Sequence, residues 1–207
     1  MPASSAEFAC VVVLAAGRGT RMGGPKALME VGGRPWWHVQ FERIAAVGRD
    51  QLWIVGPLVR EAMGRDASRS PRLVDGDPGA PMFASVLRGI DALRADRVPR
   101  FVHVLPVDVP APSESTFAAL ERAATASGVA VPTHRGASGH PICLARDWIE
   151  RVIVPAVATA AIGELRLDAL TARDRALVEV LDADVCVNLN EPEAVARWMA
   201  NPARTAP

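Results

Sequence analysis

The feature that most constrains this 207-residue chain is a β-branched apolar run that ends on small residues and glycine. Phe8 to Leu14 reads FACVVVL, and the run stops at Ala15-Ala16-Gly17. A strand without polar alternation has both faces covered, which is how strands of a parallel sheet read. Such a strand delivers the chain to the carboxyl edge of the sheet, where α/β folds bind ligands. The next residues complete the segment Leu14–Lys26, LAAGRGTRMGGPK. Gly17 and Gly19 permit backbone angles that let successive N–H groups converge on an anion. Arg21 and Lys26 add cations where phosphates would lie. The small residues after Leu14, Ala15 and Ala16, leave room for a base or ribose against the backbone. The segment therefore reads as a phosphate-cradling loop.

The rest of the chain fits the same class. Apolar runs at Gln51–Val55, Arg100–Leu105, Val129–Val131 and Ala176–Leu181 are further strands. Between them lie helical patterns at Trp37–Val47, Met82–Leu93 and Thr116–Ala126. Strands alternating with helices predict a single-domain, Rossmann-like doubly wound α/β fold with a mostly parallel sheet. His140–Leu144 reads as an extra edge strand with its proline near the start. Ser68–Pro81, dense in turn residues, reads as a strand edge entering a mobile loop. Trp148–Thr171 is helical with a break near Gly163, and Glu193–Met199 forms a last helix. No repeat or linker divides the chain, so residues 1–200 are expected to form one domain and 201–207 a frayed tail.

Composition excludes several partners. Lysine plus arginine equals aspartate plus glutamate at 23 each, which argues against nucleic acid as a partner and against a membrane surface. The first apolar run is too short for a membrane span and lacks the basic flank of a signal peptide. Cys10, Cys143 and Cys186 are far apart in sequence, without CxxC spacing. They read as buried strand residues in a reducing cytoplasm rather than as a disulfide framework or a zinc site.

Two familiar phosphate motifs fail on the residues. The dinucleotide fingerprint needs its third glycine one residue before Gly23 and an acid closing the second strand, where Ile54-Val55-Gly56 stands. The P-loop needs glycine before its lysine and serine or threonine after it, whereas Lys26 lies between Pro25 and Ala27. A nicotinamide-dependent oxidoreductase is weakened on the same grounds.

The string LAAG-x-G-T-R-M-x-x-x-K closely resembles the signature of MobA-like nucleoside-triphosphate transferases, whose fold is that of nucleotide-diphospho-sugar transferases. Three further segments follow in the order that resemblance demands. Phe101–Pro110, FVHVLPVDVP, places Asp108 just past a buried strand, where the family carries a metal-binding aspartate. Ser138–Ile142, SGHPI, matches the turn that precedes a strand in the acceptor half, which implies acceptor contacts for Gly139 and His140. Val187–Ala194, VNLNEPEA, matches the terminal segment whose second Asx helps hold the metal, implying Asn190 as the second ligand with Asn188 two residues earlier. In Pro81–Gly89, PMFASVLRG, the residues Met82, Ser85 and Gly89 match the base-facing segment, while Pro81 stands where glycine is usual.

The resemblance implies a Mg²⁺-dependent nucleotidyltransferase. Leu14, Ala15, Ala16, Gly17, Gly19, Arg21, Lys26 and Ser85 would hold the nucleotide. Arg21, Lys26 and Asp108 would be catalytic, and Asp108 with Asn190 would hold the metal. The product would be an acceptor carrying the nucleoside monophosphate, with pyrophosphate released. Among the molybdenum-cofactor enzymes, LAAG goes with cytidine and LAGG with guanosine, so Ala16 favours CTP. The segments PVDVP and GHP favour a molybdopterin-type acceptor, with a sugar phosphate or another phosphorylated acceptor as the alternative. Asn190 and Pro81 leave a second class open, a nucleotide-binding regulator without turnover.

Overall fold

The computed structural model describes residues 9–20, 23–65, 71–96 and 99–200. Its framework is built on β1 (Ala9–Ala15), which is covered on both faces as its sequence requires. Val11, Val13 and Ala15 face one apolar cluster, whereas Cys10 and Val12 face the other. The first cluster takes Trp36, Trp37 and Ile44 from α1 (Trp36–Ala46), which follows a short hairpin of β2 (Glu30–Val31) and β3 (Arg34–Pro35). It also takes Val59 and Met63 from α2 (Pro57–Gly64), after β4 (Asp50–Val55). The second cluster takes Phe83, Val86, Leu87, Ile90 and Leu93 from α3 (Met82–Asp96), which follows β5 (Arg72–Asp75). Burying one such side chain contributes about 1.5–3 kcal/mol, so these two layers supply much of the drive to fold.

The chain continues through β6 (Phe101–Pro106), α4 (Glu114–Ser127), β7 (Val129–His134), β8 (Ala137–Ser138) and β9 (Ile142–Ala145). A helical run follows, made of α5 (Arg146–Trp148), a π-helical turn at Ile149–Ile153 and α6 (Val154–Thr159). Then come α7 (Leu167–Thr171), β10 (Arg175–Glu179) and α8 (Pro192–Met199). The main sheet has eight strands in the order β10-β7-β9-β6-β1-β4-β5, with β8 paired to β7. Strands β5, β4, β1 and β6 are mutually parallel, and β10 is parallel to β7. The expected single-domain, mostly parallel α/β architecture is what forms.

Three expectations need comment or correction. The strand expected at the sheet edge is interior: β9 lies antiparallel between β6 and β7, with Cys143 and Leu144 fully buried. Pro141 precedes the first strand residue, so it removes no ladder hydrogen bond and nothing confines the strand to an edge. Cys10 and Cys143 are buried strand residues, and burial pushes the Cys10 thiol up to about 12. Cys186 is instead exposed, because the last apolar run leaves the sheet at Glu179 and Asp182 caps a 3₁₀ turn over Ala183–Cys186. That early exit also leaves Leu181 99% exposed. The C-terminal tail 201–207 lies outside the described residues.

Candidate active site

At the carboxyl ends of β1 and β6 a cavity of about 430 Å³ opens. Leu14, Ala15, Ala16, Gly17, Gly19, Lys26, Ser85, Asp108 and Asn190 line it together. Sequence positions from 14 to 190 thus converge on one space. Arg21 lies outside the described residues. Gly19 closes the loop: its φ is +60°, and a Cβ there would lie 1.9 Å from the Gly24 carbonyl oxygen. The Gly24 N–H donates back to the Gly19 carbonyl at 3.2 Å. Only glycine fits such a close, left-handed position.

Lys26 opens a 3₁₀ turn, Lys26–Leu28, anchored by buried Ala27. Its ammonium donates to Asp108 Oδ2 at 2.6 Å and to Asn190 Oδ1. The Lys26 and Asp108 side chains keep 26% and 14% of their surface, so the pair sits in the cavity wall and not in free solvent. Two hard oxygen donors therefore converge on one cation. Asn188 is exposed and does not line the cavity.

Asp108 is held by its backbone as much as by its side chain. One face of α1 presents Trp36, Gln40 and Arg43, spaced as i, i+4 and i+7. Trp36 Nε1 donates to the Val107 carbonyl at 2.5 Å. Gln40, fully buried, donates to the Val109 carbonyl at 2.6 Å and accepts from the Ala111 N–H at 2.9 Å. Arg43 donates to the Ala111 carbonyl at 2.7 Å and pairs with Asp184. The Val107 N–H reaches the Leu14 carbonyl at 3.1 Å, and the Leu189 N–H reaches the Asp108 carbonyl at 2.8 Å. The segments that carry the glycine loop, Asp108 and Asn190 are thus tied to one another through the main chain.

Gly139 and His140 do not line this cavity. Gly139 is a packing position, since a Cβ there would lie 2.2 Å from the Val185 carbonyl oxygen. The His140 N–H donates to that same carbonyl at 2.8 Å. Burial lowers the His140 pKa, opposed by the negative charge of Asp108, and its Nδ1 is buried without a partner. The imidazole is therefore within electrostatic reach of the site, outside the cavity wall.

Sequence reasoning missed Thr20 and the turn Asp77-Pro78, which also line the cavity. Asp77 follows β5 at the same sheet edge, a position that could have flagged it, and its Oδ1 accepts from the Gly79 N–H at 2.7 Å. A larger surface groove of about 1560 Å³ runs beside α1, α4 and α8. It lacks the glycine loop and the lysine–carboxylate pair, so the smaller cavity is the candidate site. Among the described residues no three His, Cys, Asp or Glu side chains cluster as metal ligands, and no helix is long and apolar enough to cross a membrane.

A mostly parallel sheet with a glycine-closed loop, a lysine and paired oxygen donors at its carboxyl edge is the arrangement of an α/β fold with a polar site at the strand ends. Residues 11–176 match the family model of the MobA-like NTP transferase domain, and the chain belongs to that family. It resembles a nucleotidyl transferase from Methanothermobacter thermautotroptrophicus at 24% identity, covering 96% of this chain and 99% of that one, with a TM-score of 0.69. The 2-C-methyl-D-erythritol 4-phosphate cytidylyltransferase of Thermus thermophilus shares 21% identity over 93% of this chain and 98% of its own, TM-score 0.66. Molybdopterin-guanine dinucleotide biosynthesis protein A of Archaeoglobus fulgidus shares 17% over 91% and 95%, TM-score 0.65. A search of curated proteins returned no match.

Proposed function

We propose that the chain transfers a nucleoside monophosphate from an NTP, CTP favoured, to a phosphorylated acceptor of molybdopterin type, releasing pyrophosphate. The observation that carries this reading is the convergence of Lys26, Asp108 and Asn190 beside a glycine-closed loop. The donor set suits a hard divalent cation, because two oxygens already flank the Lys26 ammonium. Asp108 and Asn190 would hold it, both being oxygen donors of the kind Mg²⁺ prefers. Bound there, Mg²⁺ supplies Lewis-acid polarisation of the α-phosphate and charge for the leaving pyrophosphate.

The chain's own residues supply the rest. An acceptor phosphate oxygen is already anionic, so it attacks the α-phosphorus without a base, and the bond to the β-phosphate oxygen breaks. Catalysis is then alignment and charge stabilisation. Asp108 and Asn190 hold the metal, while Lys26 and Arg21 neutralise charge growing on the α-phosphoryl and pyrophosphate oxygens. Loop N–H groups near Gly17 and Gly19 cradle the triphosphate, and Ser85 and Ala16 border the base. Support for CTP comes from LAAG at Leu14–Gly17 and from the fold shared with a cytidylyltransferase. Support for the acceptor comes from the PVDVP and GHP segments and from the fold shared with a molybdopterin dinucleotide protein.

The test is pyrophosphate release with CTP, GTP, UTP or ATP and Mg²⁺, each offered molybdopterin, methylerythritol phosphate or a sugar phosphate. Release that is greatest with CTP and molybdopterin is the expected result. Nucleotide binding without release for any pair would favour the regulator instead.

A further inference from the structure

Strand β10 closes one edge of the sheet, because among the described residues it pairs with β7 alone. Its residues Arg175–Glu179 alternate exposed and half-buried, and Leu177 is 58% exposed. The Val180 N–H donates to the Thr133 carbonyl of β7 at 2.8 Å. Backbone groups alternate sides along a strand, so Ala176 and Val178 also face β7, and the N–H and C=O groups of Arg175, Leu177 and Glu179 face outward. A row of outward-facing backbone groups with an exposed leucine at its centre is a template for another strand.

We propose that β10 pairs antiparallel with β10 of a second copy of this chain, about a two-fold axis at Leu177. In that register Leu177 meets its own image, Arg175 meets the partner's Glu179, and Glu179 meets the partner's Arg175. All three outward residues become hydrogen-bonded pairs, each exchanging two N–H···O bonds. Opposite charges directly across an antiparallel pair stabilise it, and like charges destabilise it. The edge is thus self-complementary in charge and in backbone pattern at once. The Glu179 carboxylate accepts from Thr133 Oγ1 at 2.7 Å and from the Arg135 N–H at 2.7 Å, both on the β7 side of the strand, so the partner's Arg175 has to reach it across β10.

The opposite sheet edge lacks this property. In β5, Arg72 and Asp75 are three residues apart, an odd spacing that would set an outward-facing residue opposite an inward-facing one. A pairing of five residues is small beside a standard interface of about 1,600 Å², so the dimer is concentration-dependent. The proposal is independent of the reaction assigned above.

Sedimentation equilibrium over a range of protein concentrations tests it. The expected result is reversible dimerisation of the wild type and at least tenfold weaker association for Arg175→Glu and for Glu179→Arg, each of which sets like charges opposite. An equimolar mixture of those two variants restores opposite charges across the pair and recovers the dimer. Leu177→Lys, which places two ammonium groups at the axis, abolishes it and decides the matter should Glu179→Arg not fold. A wild type that stays monomeric, or a dimer that survives Leu177→Lys or Arg175→Glu, overturns the proposal.

Discussion

At the scale of single residues, the cavity separates charge from shape. Lys26 offers the cavity an ammonium that already bridges Asp108 and Asn190. Lys26→Ala should slow pyrophosphate release roughly a hundredfold, about 3 kcal/mol of barrier, and Asp108→Ala should do at least as much. Full release by either variant in a stopped pyrophosphate assay would remove these residues from the mechanism. The role proposed for Ala16 is one of shape. Its methyl lies 2.6 Å from where a Cβ on Gly76 would stand, so the two positions have room for one methyl group between them. Ala16 also lines the cavity, so under the proposed function Ala16→Gly should raise the GTP-to-CTP ratio of kcat/KM; an unchanged ratio would place base selection elsewhere.

At the scale of elements, α1 determines where Asp108 sits. Gln40 is buried and satisfies two backbone groups of the 109–111 segment. Gln40→Leu should leave both unpaired, cost about 1–3 kcal/mol of stability and lower turnover. A urea titration and the pyrophosphate assay on the same sample would check both. This bracing was not legible in the sequence, because glutamine within an amphipathic helix looks like any polar neighbour of the core. What was legible followed from local pattern: β1, β4, β6 and β7 from unbroken apolar runs, and the loop from its glycines and lysine. Helix α2 and the β2–β3 hairpin went unread, the hairpin because its Gly32-Gly33 turn joins strands of only two residues. The position of β9 was misread because apolar composition reports burial and not neighbours. Asp77 was missed because a turn rich in glycine and proline carries no period.

At the scale of the whole molecule, stability should depend on pH through buried histidine. His103 is fully buried, and its pKa is lowered by that burial, against the opposing pull of Glu121, which it meets at 2.9 Å. His140 is lowered for the same first reason. The unfolded chain therefore takes up these protons before the folded one does. Stability from these groups is complete above the unfolded value near 6.5 and declines as the pH falls below it, by up to about 1.4 kcal/mol per pH unit for each histidine. Glu121, whose pKa is lowered, adds a further loss only below its ordinary carboxylate range. Denaturant midpoints at pH 7.5 and 5.5 should differ, and His103→Gln should narrow that difference; identical midpoints in the wild type would refute the assignment. Since β9 runs antiparallel between β6 and β7, it is a seam, and every cavity residue except Asn190 belongs to the half completed by position 108. Under the proposed function, changes beyond that seam would alter acceptor choice and leave the triphosphate contacts in place, with Asn190 the one stitch joining the two halves.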